Sequence, residues 1–182
     1  MNESLLPKTE RLRAKAVLRP FHVVLVEPEI PPNTGNIARL CGATGCPLHL
    51  VGRLGFRIDE HAVRRAGLDY WHLVEVAHHE NLERCKTEVE KLRIRTEPSN
   101  QNRFWFFTGR AKQSLYDVRL SPGDALVFGK ESVGLGEELL EEHATSLLAI
   151  PTLGAVRSLN LANSVSIALY EGLRQNGFLS QR

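Results

Sequence analysis

Three short stretches of this 182-residue sequence gather residue types that can bind or position a reacting group. The first is Asn33-Thr-Gly-Asn-Ile-Ala-Arg39. Asn36 and Arg39 stand three apart and so share one face of a helix. The Arg39 guanidinium offers a planar fork of donors suited to phosphate or carboxylate. Asn33 is expected to cap that helix, and Gly35 allows close approach of another backbone or a ligand. On these residues alone the plainer reading, a capped helix with an exposed arginine, carries more weight, because asparagine caps are routine.

The second stretch is Phe128-Gly-Lys-Glu-Ser-Val-Gly-Leu-Gly136, with three glycines in a loop that follows an apolar run. Such a loop can present backbone N–H and C=O groups to an adenine or a ribose. Gly134-Leu-Gly-Glu-Glu-Leu139 half matches a dinucleotide fingerprint but lacks its third glycine, and two glutamates at the helix start would repel a pyrophosphate. These features argue against a Rossmann-type NAD site, and no Walker A lysine motif is present. The third stretch, Ile150-Pro-Thr-Leu-Gly-Ala-Val-Arg-Ser-Leu-Asn-Leu-Ala-Asn-Ser164, runs from a strand through a Pro/Gly loop into a helix. Ser158 is expected to cap that helix. Asn160, Asn163 and Ser164 then put polar groups on its otherwise apolar first turns, which implies hydrogen-bond partners in loop backbone or in a ligand. Tyr170, two turns beyond Asn163, is expected to pack in the core.

The elements that must carry these stretches alternate between strand and helix. Apolar runs at 21–26, 48–51, 104–107, 125–128 and 147–150 predict short strands buried on both faces, and 72–76 predicts another. The Glu27-Pro-Glu-Ile-Pro-Pro segment predicts an extended turn. Helices are predicted over 33–44, 59–66, 79–93, 137–144 and 159–176, with Leu82, Cys85, Val89 and Leu92 on one face of the third. Residues 97–102 are expected to be a polar loop. The pattern is one α/β domain, a mostly parallel sheet flanked by helices, over 21–182. Ligands of such sheets bind at the carboxyl ends of the strands, where all three stretches fall.

Composition sets the remaining bounds. With 42% hydrophobic and 24% charged residues, the chain has the make-up of a soluble globular domain. No apolar run approaches the roughly 18 residues of a membrane helix, and the first 20 residues lack a secretory h-region. Three cysteines without C-x-x-C spacing argue against a disulfide framework or a structural zinc site and for a reducing cytoplasm. The net charge of +2 is small, but residues 1–20 carry five basic against two acidic residues, and the remainder is nearly neutral. That basic extension is expected to be flexible; it could add phosphate contacts or serve only as a solubilising tail.

In order and spacing, NTGNIAR at 33–39, FGKESVGL at 128–135 and IPTLGAVRSLNLANSVSIALYE at 150–171 resemble the SPOUT class of RNA methyltransferases, and within it the SpoU-like 2′-O-methyltransferases. VEPEIPPNTGNIARLCGATG at 26–45 and RRAGLDYWH at 64–72 resemble the bacterial subfamily that methylates the wobble nucleotide of tRNA. The resemblance spans roughly residues 21–178.

The resemblance implies a C-terminal deep trefoil knot and S-adenosylmethionine as methyl donor. It also implies a homodimer and, as substrate, the wobble-nucleotide ribose of tRNA-Leu isoacceptors. Carried over by position, the donor contacts fall at Phe107, Gly129, Glu131, Ile150, Leu153, Ser158 and Leu159, and the catalytic group at Arg39, Asn36, Ser158 and Asn160. Because an arginine with a pKa above about 12 is a poor base, Arg39 is expected to anchor phosphate or act electrostatically. Glu131 and Asn160 would order the loops, and no metal is required. Three features depart from the family pattern: the extension at 1–20, a phenylalanine at 107 where a smaller aliphatic is usual, and the loop TLGAV at 152–156. Other readings are a relative acting on another tRNA site or on ribosomal RNA, a catalytically silent RNA-binding module, and a small-molecule methyltransferase.

Overall fold

The computed structural model describes residues 13–56, 74–93, 103–156 and 158–180. The strands are β1 (His22–Val26), β2 (Leu48–Val51), β3 (Val76–His79), β4 (Phe104–Phe107), β5 (Ala125–Phe128) and β6 (Leu147–Leu148). All pair in parallel, in the order β3-β2-β1-β5-β4-β6. The helices among the described residues are α1 (Pro31–Thr44), α2 (Leu82–Arg93), α3 (Glu137–Glu142) and α4 (Leu161–Gln175). No helix among them is long and apolar enough to cross a membrane.

The central strands are apolar on both faces because helices cover both faces. Alternation along each strand then divides the interior into two cores. Phe21, Val23, Leu25, Leu48, Leu50, Trp105, Phe107, Leu126 and Phe128 pack with Ile37, Ala38 and Cys41 of α1 and with Val165, Ala168 and Leu169 of α4. On the opposite face Val24, Val51, Phe106, Ala125 and Val127 meet Cys85 and Val89 of α2 and Leu140 of α3. The apolar face expected for the third predicted helix is thus the one that α2 buries. Asp124, fully buried just before β5, accepts from Trp105 Nε1 (3.0 Å) and from the backbone N–H groups of Arg103 (3.0 Å) and Ser121 (2.9 Å).

Several boundaries differ from the expected ones, each for a local reason. Helix α1 starts at Pro31, not Asn33: Pro31 and Pro32 occupy first-turn positions whose N–H groups would have no intrahelical partner, so they begin the helix instead of extending the turn. Strand β3 runs Val76–His79 rather than 72–76, pairing Leu48 with Val76 and Val51 with His79. Helix α2 starts at Leu82 because Asn81 Oδ1 accepts from Arg84 N (3.0 Å), which releases His79 to the sheet. Helix α3 stops at Glu142, where a 3₁₀ turn over Ala144–Ser146 takes over. Strand β6 is only Leu147–Leu148, and Ala149 continues as a single bridge to Ser114. Tyr170 is 46% exposed on α4 rather than core, because the core face of that helix is filled by Val165, Ala168, Leu169 and Leu173. The helix expected at 59–66, the start of the strand expected at 72, the loop at 97–102, the RRAGLDYWH stretch and residues 1–12 lie outside the described residues.

Three histidines cross the α2 side of the sheet. His22 Nδ1 lies 3.0 Å from His49 Nε2, and His49 Nδ1 lies 2.9 Å from His79 Nε2. Burial, the largest cause, lowers His22 to about 4 and His49 to about 3, so both rings are neutral in the folded protein. Unfolding exposes them to protonation near their ordinary value of about 6.5, so below that pH the unfolded chain binds more protons than the native one. Stability from these groups is therefore intact above pH 6.5 and falls as pH drops toward 4. Urea unfolding is expected to show a loss on the order of 5 kcal/mol over that window, about half of it removed in His22→Phe. A wild-type midpoint that does not move over the window would contradict this account.

Candidate active site

The carboxyl ends of β1, β5 and β6 open onto three loops, and side chains tie two of those loops to the start of α1 and of α4. Glu131, half-buried in the loop after β5, accepts from the backbone N–H of Glu29 (2.8 Å) and Ile30 (3.2 Å) and from Asn33 Nδ2 (3.0 Å). Asn33 is not the cap of α1. The cap position is Ile30, whose side chain cannot accept; Pro31 and Pro32 have no N–H, Asn33 N and Thr34 N donate to Ile30 O (3.0 and 3.3 Å), and Glu131 holds the N–H groups of the two residues just before the helix. A negative charge there also suits the positive end of the α1 dipole. Asn33, buried, uses its other end to accept from Asn160 Nδ2 (3.0 Å).

Asn160, in turn, caps α4: its Oδ1 accepts from Ala162 N (2.9 Å) and Asn163 N (3.4 Å). It takes the role expected of Ser158, which lies two residues before the cap and is exposed. Ser164 Oγ donates to Asn160 O (3.2 Å), so part of the polar cluster on α4 is answered by its own cap. The result is a continuous hydrogen-bonded path, Glu131–Asn33–Asn160, whose two links span 98 and 127 residues of sequence.

Reciprocal contacts lock the first two loops. Glu29 accepts from Ser132 N (3.0 Å); the Ser132 hydroxyl, and after it this backbone bond, lower its carboxyl pKa, and Lys130 Nζ lies 2.7 Å from Glu27 Oε2, which raises the lysine. Glu27 itself adopts a left-handed φ of 50° as the chain turns out of β1. Within the loop, Gly134 N donates to Lys130 O (2.8 Å), folding 130–134 into a tight turn. A Cβ on Gly129 would overlap the backbone of Gly134 and Leu135, so only glycine permits this turn. Thr34 Oγ1, beside Asn33, is buried and has no partner among the described residues.

The other expected site residues are placed as follows. Asn36 and Arg39 both face solvent from α1. Phe107, at the end of β4, is buried with its ring stacked on Phe128 (centroids 4.6 Å apart), so a larger residue here fills core and leaves the backbone at the strand end. Ile150 packs half-buried against the α1/α4 core, and Leu159 is half-buried just before α4. Leu153 is not brought onto the other loops: it is fully exposed, as is most of Val156, in the loop 151–156. Sequence reasoning missed the pairing roles of Asn33, Glu27 and Glu29. The one available signal was the run of acidic residues in the turn at 27–29 opposite Lys130 and Ser132.

Removing the Glu131 carboxylate leaves two backbone N–H groups and the Asn33 amide without acceptors. Glu131→Ala is expected to cost about 2 kcal/mol in urea unfolding, with Glu131→Gln less damaging because one acceptor oxygen remains. Equal midpoints for wild type and Glu131→Ala would show that the path is not structural.

The SpoU rRNA Methylase family is matched over residues 20–170. A tRNA (cytidine(34)-2′-O)-methyltransferase of Acidovorax sp. (strain JS42) is 46% identical over 161 residues, covering 88% of this chain and 94% of its own. A solved structure concerned with 2-OH methylation of C/U34 on tRNA superposes with a TM-score of 0.76 at 42% identity, covering 86% of this chain and 96% of the other. The fold is also that of the SpoU methyltransferase AviRb from Streptomyces viridochromogenes, solved in complex with AdoMet: TM-score 0.72, 24% identity, 91% of this chain and 61% of that one.

Proposed function

From the membership of this chain in the SpoU methylase family, to which it belongs by the match over residues 20–170, we propose that it is an S-adenosylmethionine-dependent RNA 2′-O-methyltransferase acting on the wobble nucleotide of tRNA. The observation that carries this reading is the Glu131–Asn33–Asn160 path, which fixes the three motif-bearing segments against one another at the carboxyl edge of the sheet. Relatives above 40% identity over most of the chain, named for cytidine 34, support the position, and tRNA-Leu isoacceptors are the proposed substrates.

In this reading the ribose 2′-oxygen attacks the donor methyl in line with its bond to sulfur. The C–S bond breaks, the sulfonium charge is cancelled, and the hydroxyl proton passes to solvent. Holding the two reactants in that alignment can lower the barrier by about 7–11 kcal/mol. The sulfonium is already an activated leaving group, so the transfer uses no metal. Backbone groups at Phe107, Gly129, Ile150, Leu153, Ser158 and Leu159 would hold the donor, with Gly129 and Glu131 setting the shape of the middle loop. Asn36 and Arg39, on the exposed face of α1, would engage the RNA, Arg39 by clamping a phosphate next to the reacting ribose.

A C-terminal trefoil knot belongs to the same proposal. Ala149 pairs on one side with Gln113–Leu115 while Thr108 N donates to Leu148 O, so the last strand is flanked by chain from the β4–β5 connection. Gln175 and Asn176 at the end of α4 bond to Val118 and Leu120 of that same connection. A homodimer would cover the exposed apolar side chains Leu153 and Val156, and the protein would act in the cytoplasm. The class of acceptor is tested by incubating the protein with methyl-labelled S-adenosylmethionine and, separately, total tRNA, ribosomal RNA or no RNA. Label is expected in tRNA ribose alone. Label in ribosomal RNA alone would keep the chemistry and reject the acceptor, and label in neither would point to a silent RNA-binding module.

A further inference from the structure

The histidine row on the far face of the sheet ends beside a cysteine that the proposed methyl transfer does not use. His49 Nδ1, His79 Nε2 and Cys85 Sγ all lie within 4.8 Å of one another. His49 projects from the middle of β2 and is 1% exposed, Cys85 is fully buried on the first turn of α2, and His79 is half-buried on edge strand β3. We propose that these three residues form a binding site for a thiophilic divalent cation of the zinc class, set between the sheet and α2. It would be structural and independent of the methyl-transfer site, and it revises the expectation that the cysteines exclude zinc.

The donor set is the argument. Imidazole and thiolate are the ligands zinc prefers, and a tetrahedral ion with Zn–N of about 2.0–2.1 Å and Zn–S of about 2.3 Å needs its ligand atoms roughly 3.3–3.8 Å apart. The His49 and His79 nitrogens are 2.9 Å apart and would separate by a few tenths of an ångström to admit the ion. In the metal-free protein one N–H is shared between them. On binding, the ring that holds the shared N–H loses that proton to solvent and takes one up at its other nitrogen, so that His49 is protonated on Nε2 and His79 on Nδ1, while the Cys85 thiol proton passes to solvent and the thiolate takes its place in the coordination sphere.

His22 then acquires a definite role. Its Nδ1, 3.0 Å from His49 Nε2, accepts the remaining His49 N–H, which is the outer-shell hydrogen bond that orients a ligating imidazole. The position of His79 at the sheet edge supplies an entry path. A water molecule completes four-coordination at the sheet edge, and the negative charge of Glu88, one turn past Cys85 and electrostatically coupled to His79, favours a cation there. A purely apolar account of Cys85 leaves unexplained why its neighbours on the sheet are two histidines with inward-facing nitrogens rather than the aliphatic residues that line the rest of that core.

The test uses the full chain, stripped with a chelator and titrated with Co²⁺ as a spectroscopic stand-in. One equivalent is expected to bind, with thiolate-to-cobalt charge-transfer absorption and visible bands of tetrahedral intensity, both bleached by added Zn²⁺. Cys85→Ser should lose the charge-transfer band. His79→Gln, a substitution at the partly exposed edge, should weaken cobalt binding at least about tenfold, and His22→Ala about 10- to 100-fold. Methyl transfer by Cys85→Ser is expected to match wild type. No cobalt spectrum in the folded wild-type chain, or an unchanged charge-transfer band in Cys85→Ser, would overturn the site. Should Cys85→Ser fail to fold, His79→Gln decides: unchanged cobalt affinity overturns the site equally.

Discussion

Arg39→Ala is expected to lower methyl transfer to tRNA by about a hundredfold or more while leaving S-adenosylmethionine affinity within a few-fold of wild type. Arg39 is exposed on α1, one turn beyond Asn36, so its truncation opens no cavity in the core. The helix that carries it is held at its start by Glu131 and Asn33 and at its end by Gly45, whose φ of 70° closes α1 with a bond to Cys41 O. The guanidinium is thereby presented from a rigid support, as a phosphate clamp requires. Arg39→Lys keeps the charge but not the two-pronged geometry and should fall between the two. Wild-type turnover in Arg39→Ala would remove Arg39 from the mechanism.

Gly129→Ala is expected to reverse that pattern, abolishing donor binding first. A methyl group at 129 would overlap the backbone of Gly134 and Leu135, and neither can yield without opening the turn closed by Gly134 N and Lys130 O. Rearranging the turn moves Glu131 as well, and with it the acceptor for Glu29, Ile30 and Asn33. Donor affinity should fall at least about a hundredfold, and stability by about 2–3 kcal/mol, the cost of overpacking a tight site. Gly134→Ala is the control. Its Cβ would meet open space, and the φ of 75° costs only about 1–2 kcal/mol, so a milder loss is expected. Calorimetric titration with S-adenosylmethionine checks both, and full donor affinity in Gly129→Ala would contradict the role of this loop.

The sheet was largely legible in the sequence because burial on both faces leaves an unambiguous mark: FHVVLV, LHLV, FWFF and ALVF are continuous apolar runs of strand length. What misled was polarity with a tertiary cause. His79 looked like the start of a helix, yet it belongs to β3, where its ring continues a row begun by His22 and His49 on other strands. Asn33 and Ser158 looked like caps by the ordinary local rule. In fact α1 has no side-chain cap, a carboxylate about a hundred residues away holding only the chain just before it, and α4 is capped by Asn160, two positions after Ser158. Local patterns cannot show such exchanges, since each depends on which loops the strand order brings together. The three motif-bearing segments stand out in the sequence, but the contacts that join them through Glu131, Asn33 and Asn160 became visible only in three dimensions.

The measurement that bears most directly on the central claim is the position of the methyl group on a defined acceptor. Purified tRNA-Leu would be incubated with the protein and methyl-labelled S-adenosylmethionine, then digested and the fragments identified by mass. The account predicts a single 2′-O-methyl group on the ribose of nucleotide 34, absent when the protein carries Arg39→Ala. A methyl group on a base, or on the ribose of any other nucleotide with position 34 untouched, would contradict it.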